Sequence, residues 1–236
     1  MVDRRAIRRW ISVALLALAP AAHAAVVARP GTINFIEGKA MLDGKAAVAD
    51  GTDAALLGTR TLETEKGRVE ILLTPGVFLR VAENSAVRLG DAGPGQVRVE
   101  LLKGEILVEA GALDRRHAID VAGAHLTRPG IYEFDASSGA AAHALKPAAN
   151  GDADPLYRWS LDRAAQDAWV AEWTAYNLLA LGPDGTRYAE GWYWNPWLGA
   201  WAWIPASGHG RVTPFHFGYY APDAMHSQAP VFADFR

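Results

Sequence analysis

The sequence predicts a mainly β protein: an irregular β-sandwich or β-helix-like domain, followed by one amphipathic helix and a tryptophan-rich hairpin with an extended tail. Short alternations of apolar and polar residues recur at roughly 8–12-residue spacing up to residue 135, with Gly and Pro between them. A single long helical pattern follows a polar stretch, and eight of the nine tryptophans lie between residues 159 and 203. We therefore expect a β domain over residues 25–136, a linker over 137–155, and a helical and aromatic region over 156–236.

The clearest strand pattern lies between residues 67 and 89. The sequence Thr74-Pro75-Gly76 fits a type II turn, because Pro sets the φ of its second position and Gly tolerates the positive φ of its third. Glu83-Asn84-Ser85 predicts a second reversal before a third strand. Apolar residues alternate with others on both sides of the first turn: Val69, Ile71, Leu73, then Val77, Leu79, Val81. The stretch is typical of an antiparallel meander.

This stretch resembles the FecR domain family. The resemblance rests on the run from Gly67 to Val81 followed by Asn84-Ser85, with Ile36-Glu37-Gly38 upstream and Leu101–Glu105 downstream, and it covers residues 27–135. It implies a non-catalytic envelope protein. Family members in iron signalling pass a receptor's signal to a sigma factor through an anti-sigma segment and a membrane helix. We find neither in this sequence, so we expect the protein-contact part of that role, through exposed β edges or the aromatic tail.

Residues 1–24 have the three parts of a secretory signal peptide. Arg4 to Arg9 form a basic region, Ile11 to Ala19 an apolar region, and Ala22-His23-Ala24 a cleavage site before Ala25. The apolar run is shorter than the roughly 20 residues that a spanning helix needs. We expect a periplasmic or secreted mature chain without a membrane span.

Charge and cysteine content exclude several classes of function. The chain carries −3, and residues 1–24 hold four Arg against one Asp, so their removal leaves −6. An acidic protein is poorly suited to a phosphate backbone, and we expect no nucleic-acid partner. The absence of cysteine excludes disulfides and thiol catalysis. No metal, phosphate-loop or dinucleotide motif is present, so we expect no cofactor.

A helix is predicted from about Ser160 to Leu181. Ser160 suits an N-cap, Asp162 lies in the first turn, and Gly182-Pro183 ends the pattern. Four residues form a mainly aromatic stripe along this helix: Trp169, Trp173, Tyr176, Ala180. We expect the stripe to pack on the β domain or the following hairpin, and the alternative is a helix that binds a partner. More polar positions surround the stripe: Arg163, Gln166, Asp167, Glu172.

Residues 191–205 predict a hairpin lined by tryptophan. Asn195 to Gly199 can turn the chain between two strands. Five indoles of this hairpin are candidates for contact with a ligand or partner: Trp192, Trp194, Trp197, Trp201, Trp203. Three interpretations stay open: packing of a small aromatic core, stacking on a glycan or other hydrophobic ligand, and a protein interface. From Ala206 onward, Pro and aromatic residues predict an extended arm.

The sequence gives little support for a catalytic function. Glycoside hydrolysis requires two carboxyl groups at a fixed separation, and the candidates are expected on the polar faces of strands: Glu63, Glu65, Glu70, Glu100, Glu105, Glu109. Ser207-Gly208-His209 lacks the strand–turn–helix context of a nucleophile elbow. The sequence therefore predicts an exported, non-catalytic binding or scaffold module, in envelope signalling or protein–protein interaction. The alternative is a polysaccharide-binding module that uses the Trp hairpin.

Overall fold

The computed structural model describes residues 28–49, 60–91, 97–113, 119–138, 143–145, 154–181 and 188–227. The expected signal peptide lies outside them. One helix, α1, spans Pro155–Leu181, and 3₁₀ turns span Ala136–Ser138 and Pro222–Ser227. The strands are β1 (Thr32–Leu42), β2 (Lys45–Ala46), β3 (Thr61–Leu72), β4 (Val77–Val81), β5 (Ala86–Asp91), β6 (Val97–Lys103), β7 (Glu105–Ala110), β8 (Ile119–Val121), β9 (Ala124–Leu126), β10 (Gly130–Asp135), β11 (His143–Leu145), β12 (Gly191–Asn195), β13 (Ala200–Ile204), β14 (Gly210–Val212) and β15 (Gly218–Tyr220).

The main sheet is a meander in which several rows consist of two strands that lie end to end. β3 pairs with β1 along one edge, and β4 and β5 lie end to end along its other edge. β7 and β6 lie end to end beside β4 and β5. On the far side of that row, β8 runs parallel to β6 and β10 antiparallel to β7, with β9 and β11 outside them.

The reversal predicted at Glu83-Asn84-Ser85 is wrong. β5 continues in the direction of β4, because both run antiparallel to β3. Asn84 has a φ of 54° and donates its backbone N–H to the Glu65 carbonyl, which produces a local kink without reversing the chain. Asn is among the residues that tolerate this left-handed conformation.

A line of irregular positions crosses the rows at this kink. Gly38 lies opposite Gly67 in the β1–β3 ladder, and a side chain on either would overlap the backbone of the other strand. Gly104, with a φ of 75°, separates β6 from β7, and a Cβ there would strike Ser85. Bulged, glycine-bearing positions bend strands. The sheet therefore curls into a half-barrel.

The concave side of the curl contains the main apolar core. Its members are the alternating residues that the sequence indicated, including Val69, Ile71, Leu79 and Val108, which have no exposed surface. The predicted turn after β3 is confirmed, since the Val77 N–H donates to the Thr74 carbonyl and Gly76 has a φ of 77°.

Helix α1 begins five residues before the predicted start. Asp154 is the N-cap, because its Oδ1 accepts the Tyr157 backbone N–H at 2.8 Å, and Pro155 occupies the first helical position. Ser160 lies inside the helix and is buried. The polar stretch expected as a linker also supplies a 3₁₀ turn and strand β11, which pairs with β10.

The predicted tryptophan hairpin forms, with Trp192 opposite Trp203 and Trp194 opposite Trp201. The segment after it departs from the expected extended arm. It forms a second hairpin, β14–β15, because the Thr213 carbonyl accepts the His216 N–H and His216 turns the chain with a φ of 67°. Phe215 and Tyr219 of this segment are buried.

Candidate functional site

The convex face of the half-barrel carries a charged cluster on β3, β4 and β7. Glu70, Arg80 and Glu109 project from neighbouring strands and have no exposed side-chain surface. Arg80 donates through Nε to Glu70 Oε2 at 2.9 Å and through Nη1 to Glu109 Oε2 at 2.8 Å. Its guanidinium also lies 5.3 Å from the ring centre of Phe78 and 5.7 Å from that of Phe215. Arg80 is therefore held on several sides by carboxylates and aromatic rings.

Helix α1 completes the cluster with Arg163 and Asp167, one turn apart. Arg163 Nη2 donates to Glu70 Oε1 at 2.8 Å and to Asp167 Oδ1 at 2.7 Å, and its guanidinium lies 4.2 Å from the ring centre of Phe35. Arg80 Nη2 donates to Asp167 Oδ2 at 3.2 Å. Five buried ionisable groups thus join the sheet to the helix.

Asn34 on β1 extends the network to the tryptophan hairpin. Its side-chain amide donates to Glu70 Oε1 at 2.9 Å, and its Oδ1 accepts the backbone N–H of Trp201 at 3.1 Å. The cluster consequently fixes three elements against one another: the sheet, helix α1 and strand β13.

The cluster holds three carboxyl groups against two guanidinium groups. Burial raises the pKa of Asp167 well above its usual value, and the neighbouring Glu70 adds to the rise while Arg163 opposes it. Burial likewise raises the pKa of Glu109 against the effect of Arg80. Burial acts in the same sense on Glu70, but Arg163 and Arg80 outweigh it and lower its pKa. The arrangement therefore favours a proton on Asp167 or Glu109 over a proton on Glu70.

This cluster corrects the expectation that Glu70 and Glu109 lie on solvated strand faces and that Arg163 and Asp167 lie on a polar helix face. A sequence signal was present, since Leu72 and Phe78 make the same convex face partly apolar. The paired groups are sealed from solvent, and of their polar atoms only Glu109 Oε1 and Arg163 Nε have no hydrogen-bond partner among the described residues. They brace the interior and offer no carboxyl pair to a substrate.

The aromatic stripe of α1 lies at the margin of the helix contact. Trp169 and Tyr176 are partly buried against the second apolar cluster, but Trp173 is 41% exposed. The buried face includes Ala164, Val170, Ala171, Thr174 and Ala175, which follows the row of Arg163 and Asp167. The expected packing face is thus rotated toward the charged residues.

The predicted contact tryptophans divide into two groups. Trp192, Trp201 and Trp203 are buried, and Trp192 packs edge-on against Phe78 with ring centres 5.1 Å apart. Trp194 is half-buried beside Trp201, and Trp197 in the hairpin turn is 72% exposed. The hairpin therefore covers the convex face of the sheet with three of its indoles and presents Trp197 to solvent.

The hairpin turn is attached to helix α1. Asn195 Nδ2 donates to Thr174 Oγ1 at 3.0 Å, and Asn195 Oδ1 accepts the Trp197 backbone N–H at 3.1 Å. Trp173 precedes Thr174 on the helix. Trp173 and Trp197 thus belong to segments that are joined by a hydrogen bond.

The described residues contain no Ser–His catalytic pair at the position considered from sequence. Ser207 Oγ bonds with the backbone of Tyr188, and His209 Nδ1 faces the Ser207 carbonyl oxygen at 2.9 Å. Among the same residues, no group of three metal-binding side chains comes together.

Comparison with known families identifies the curled sheet. Residues 60–144, a little more than a third of the chain, match the model of the family described as FecR protein. This segment is a FecR domain. The match confirms the resemblance seen in the sequence. No curated protein and no solved structure matches the chain significantly.

The family suggests a signalling or regulatory role at the cell envelope. It is a family of non-enzymatic signalling regulators. The FecR domain supplies Glu70, Arg80 and Glu109 to the buried cluster, whereas Arg163 and Asp167 come from outside the matched residues. Within the described ranges, no helix is long and apolar enough to cross a membrane.

Proposed function

We propose that this protein is an exported, non-catalytic module that acts in signalling or regulation at the envelope by binding another protein. The FecR domain over residues 60–144 is the observation that carries the proposal, because its family is one of non-enzymatic signalling regulators. The sealed charge cluster agrees with it, since the strongest concentration of ionisable groups serves packing. Solvent-facing apolar residues such as Trp197 and Leu102 provide surface for protein contact.

Site-specific photo-crosslinking in cells that produce the full chain tests this function. A photoreactive amino acid replaces Trp197 or Leu102 in turn, and a third variant carries it at Val212, which is 68% exposed on β14 and controls for general reactivity. We expect a discrete adduct in the envelope fraction from position 197 or 102 and none from 212. The proposal of a protein partner is wrong if illumination gives no adduct, or the same adducts at all three positions.

Export is part of the proposal and has its own measurement. The leader of basic, apolar and small residues supports cleavage after Ala24. Amino-terminal sequencing of the protein from a periplasmic or culture fraction should begin at Ala25. Recovery of the intact chain from the cytosol alone would contradict export.

A second function, binding of a polysaccharide, is favoured by one observation. Trp197 and Trp173 keep 72% and 41% of their surface exposed, and flat indole faces can stack on sugar rings. Affinity electrophoresis in gels containing envelope polysaccharide tests it. Trp197→Ala should abolish a retardation that Val212→Ala leaves unchanged. Equal mobility of the two variants with and without polysaccharide would exclude this function.

A further inference from the structure

The row formed by β6 and β7 has a gap on its outer edge. β8 covers β6 only from Val97 to Val99, and β10 covers β7 from Glu105 to Ala110. At one end of the gap, Ala122 and Gly123 have positive φ values of 46° and 87° and turn the chain away into β9. At the other end, the Ala136 N–H donates to the Gly104 carbonyl where the 3₁₀ turn begins. Residues 100–103 therefore have no described strand beside their outer edge.

The backbone of Leu101 faces this gap. The ladder with β8 ends where the Val99 carbonyl accepts the Ala122 N–H at 2.9 Å, so the polar groups of Val99 point away from β5. Leu101 lies two residues further along, opposite Val87 on β5 and just before the register shift that sets Ala86 opposite Lys103, and strand geometry directs its N–H and C=O the same way. These groups form the next step of a ladder that β8 leaves unfinished.

The gap opens into a notch of about 470 Å³, lined by Arg98, Val99, Glu100, Leu101, Asp120, Ala122 and Gly123. Leu101 and Ala122 are partly buried against the main core and give the notch an apolar inner wall. A Cβ on Gly123 would meet no atom within 4 Å, so the approach past the turn is open. The outer rim holds charges of both signs, with Arg98 4.0 Å from Asp120 and Arg88 3.5 Å from Glu100.

We propose that this notch is the docking site for an extended segment of a partner protein, which adds a short strand beside β6 in line with β8. About four residues of extended chain span the distance from Val99 to Gly104, at roughly 3.3 Å per residue. The occupant is a peptide because the Leu101 N–H and C=O, which have no strand partner among the described residues, are a backbone donor and acceptor, for which β-strand addition is the matching recognition mode.

The notch also sets the pattern of the segment. Its inward residue contacts Leu101 and Ala122 and is apolar, and its flanking residues face the charged rim and are polar. Because the rim charges already pair with each other, the segment needs no strong net charge. This inference rests on the proposed function and places its partner contact on the FecR domain.

Selection of random heptapeptides displayed on phage against the purified mature protein supplies the probe. Selected peptides are synthesised and titrated against three proteins: the unchanged chain, Leu101→Pro and Leu101→Ala. Proline removes the N–H that faces the notch while leaving the β5 ladder intact, and proline is tolerated at such edge positions. Alanine keeps the N–H and removes only the apolar contact. We expect Leu101→Pro to weaken binding at least about tenfold, and Leu101→Ala to weaken it less.

Amide exchange in the unchanged protein gives a measurement that does not depend on the variants folding. Addition of the peptide should slow exchange of the Leu101 amide at least about tenfold. The inference is overturned if no peptide is selected, if peptides bind Leu101→Pro as well as the unchanged chain, or if this amide exchanges equally with and without peptide. Crosslinking at residue 197 fails or succeeds independently of the notch: an adduct at this residue without peptide binding at the notch leaves the proposed function standing alone.

Discussion

At the scale of single residues, the buried charge cluster is the feature with the largest energetic consequences. A charge removed from water is costly unless it is paired and hydrogen-bonded. Arg80 meets this condition with donors to Glu70, Glu109 and Asp167. Removing it leaves Glu109 without its cation in a site that water does not reach.

Arg80→Met should lower the free energy of unfolding by about 3–5 kcal/mol, the usual cost of breaking a buried ion pair on one side. Urea denaturation followed by circular dichroism measures it. Lys39→Met is the matched control, because Lys39 pairs with Glu65 at 2.9 Å but both side chains are about 60% exposed. The control should change stability by less than about 1 kcal/mol. Equal effects of the two substitutions would contradict the role given to burial.

The raised pKa of Glu109 predicts a pH dependence of stability. A carboxyl whose pKa is higher in the folded chain than its unfolded value of about 4.3 binds its proton more tightly when folded. Its contribution is complete below that unfolded value and is lost as the pH rises through the folded pKa. The slope is at most about 1.4 kcal/mol per pH unit for each proton. Glu70 has a lowered pKa and acts in the opposite sense, because its contribution to stability is lost as the pH falls.

Glu109→Gln therefore should remove part of the fall in stability above about pH 4.3, because the amide carries no charge at any of these pH values. Urea midpoints between pH 4 and 9 measure the difference. Glu105→Gln, on the exposed side chain at the start of the same strand, is expected to follow the unchanged protein. Parallel profiles for the unchanged chain and Glu109→Gln would show that the pKa of Glu109 is the same in the folded and unfolded chain, against the prediction.

At the scale of elements, the start of helix α1 shows how local chemistry is chosen between two candidates. Both Asp154 and Ser160 suit an N-cap, but only Asp154 precedes a proline and accepts the N–H three residues later. The helix then gains an extra turn, and Leu156 and Tyr157 are buried on it.

Asp154→Ala should cost about 1 kcal/mol, as the loss of a capping side chain does. Ser160→Ala is the informative comparison, since the Ser160 hydroxyl is buried and has no hydrogen-bond partner among the described residues. That substitution should leave stability unchanged or raise it. Thermal unfolding of both variants decides the matter, and a larger loss for Ser160→Ala would place the cap where the sequence first indicated it.

The elements also show which inferences sequence supports. Alternation along β3 and β4 identified two faces and the Thr74–Gly76 turn, because these signals are local. Alternation does not say what covers the second face, so Glu70 and Arg80 resembled solvent-facing residues. Arg163, the partner of Glu70, lies 93 residues from it in the chain. The gap beside β6 could not be predicted from the sequence for the same reason, because it depends on where β8 and β10 end.

At the scale of the whole molecule, the FecR domain and the C-terminal region share a second apolar cluster beside the main core of the sheet. Leu72 and Phe78 of the sheet belong to the same apolar cluster as Val170 of α1 and Trp203 of the hairpin. The charge cluster crosses the same boundary. Two regions joined by shared buried clusters unfold as one cooperative unit when the shared contacts dominate.

We therefore expect a single unfolding transition in urea for the mature chain. Tryptophan fluorescence of the chain from Ala25 onward reports only on residues 159–203, because every tryptophan except Trp10 lies there. Hydrogen exchange of peptides from β3 to β7 reports on the FecR domain, and the two midpoints should coincide. Arg163→Met removes the ion pair with Glu70 that joins the two regions, and it should lower both midpoints together. A fluorescence midpoint that falls while the exchange midpoint stays would mean that the FecR domain is stable without its cover.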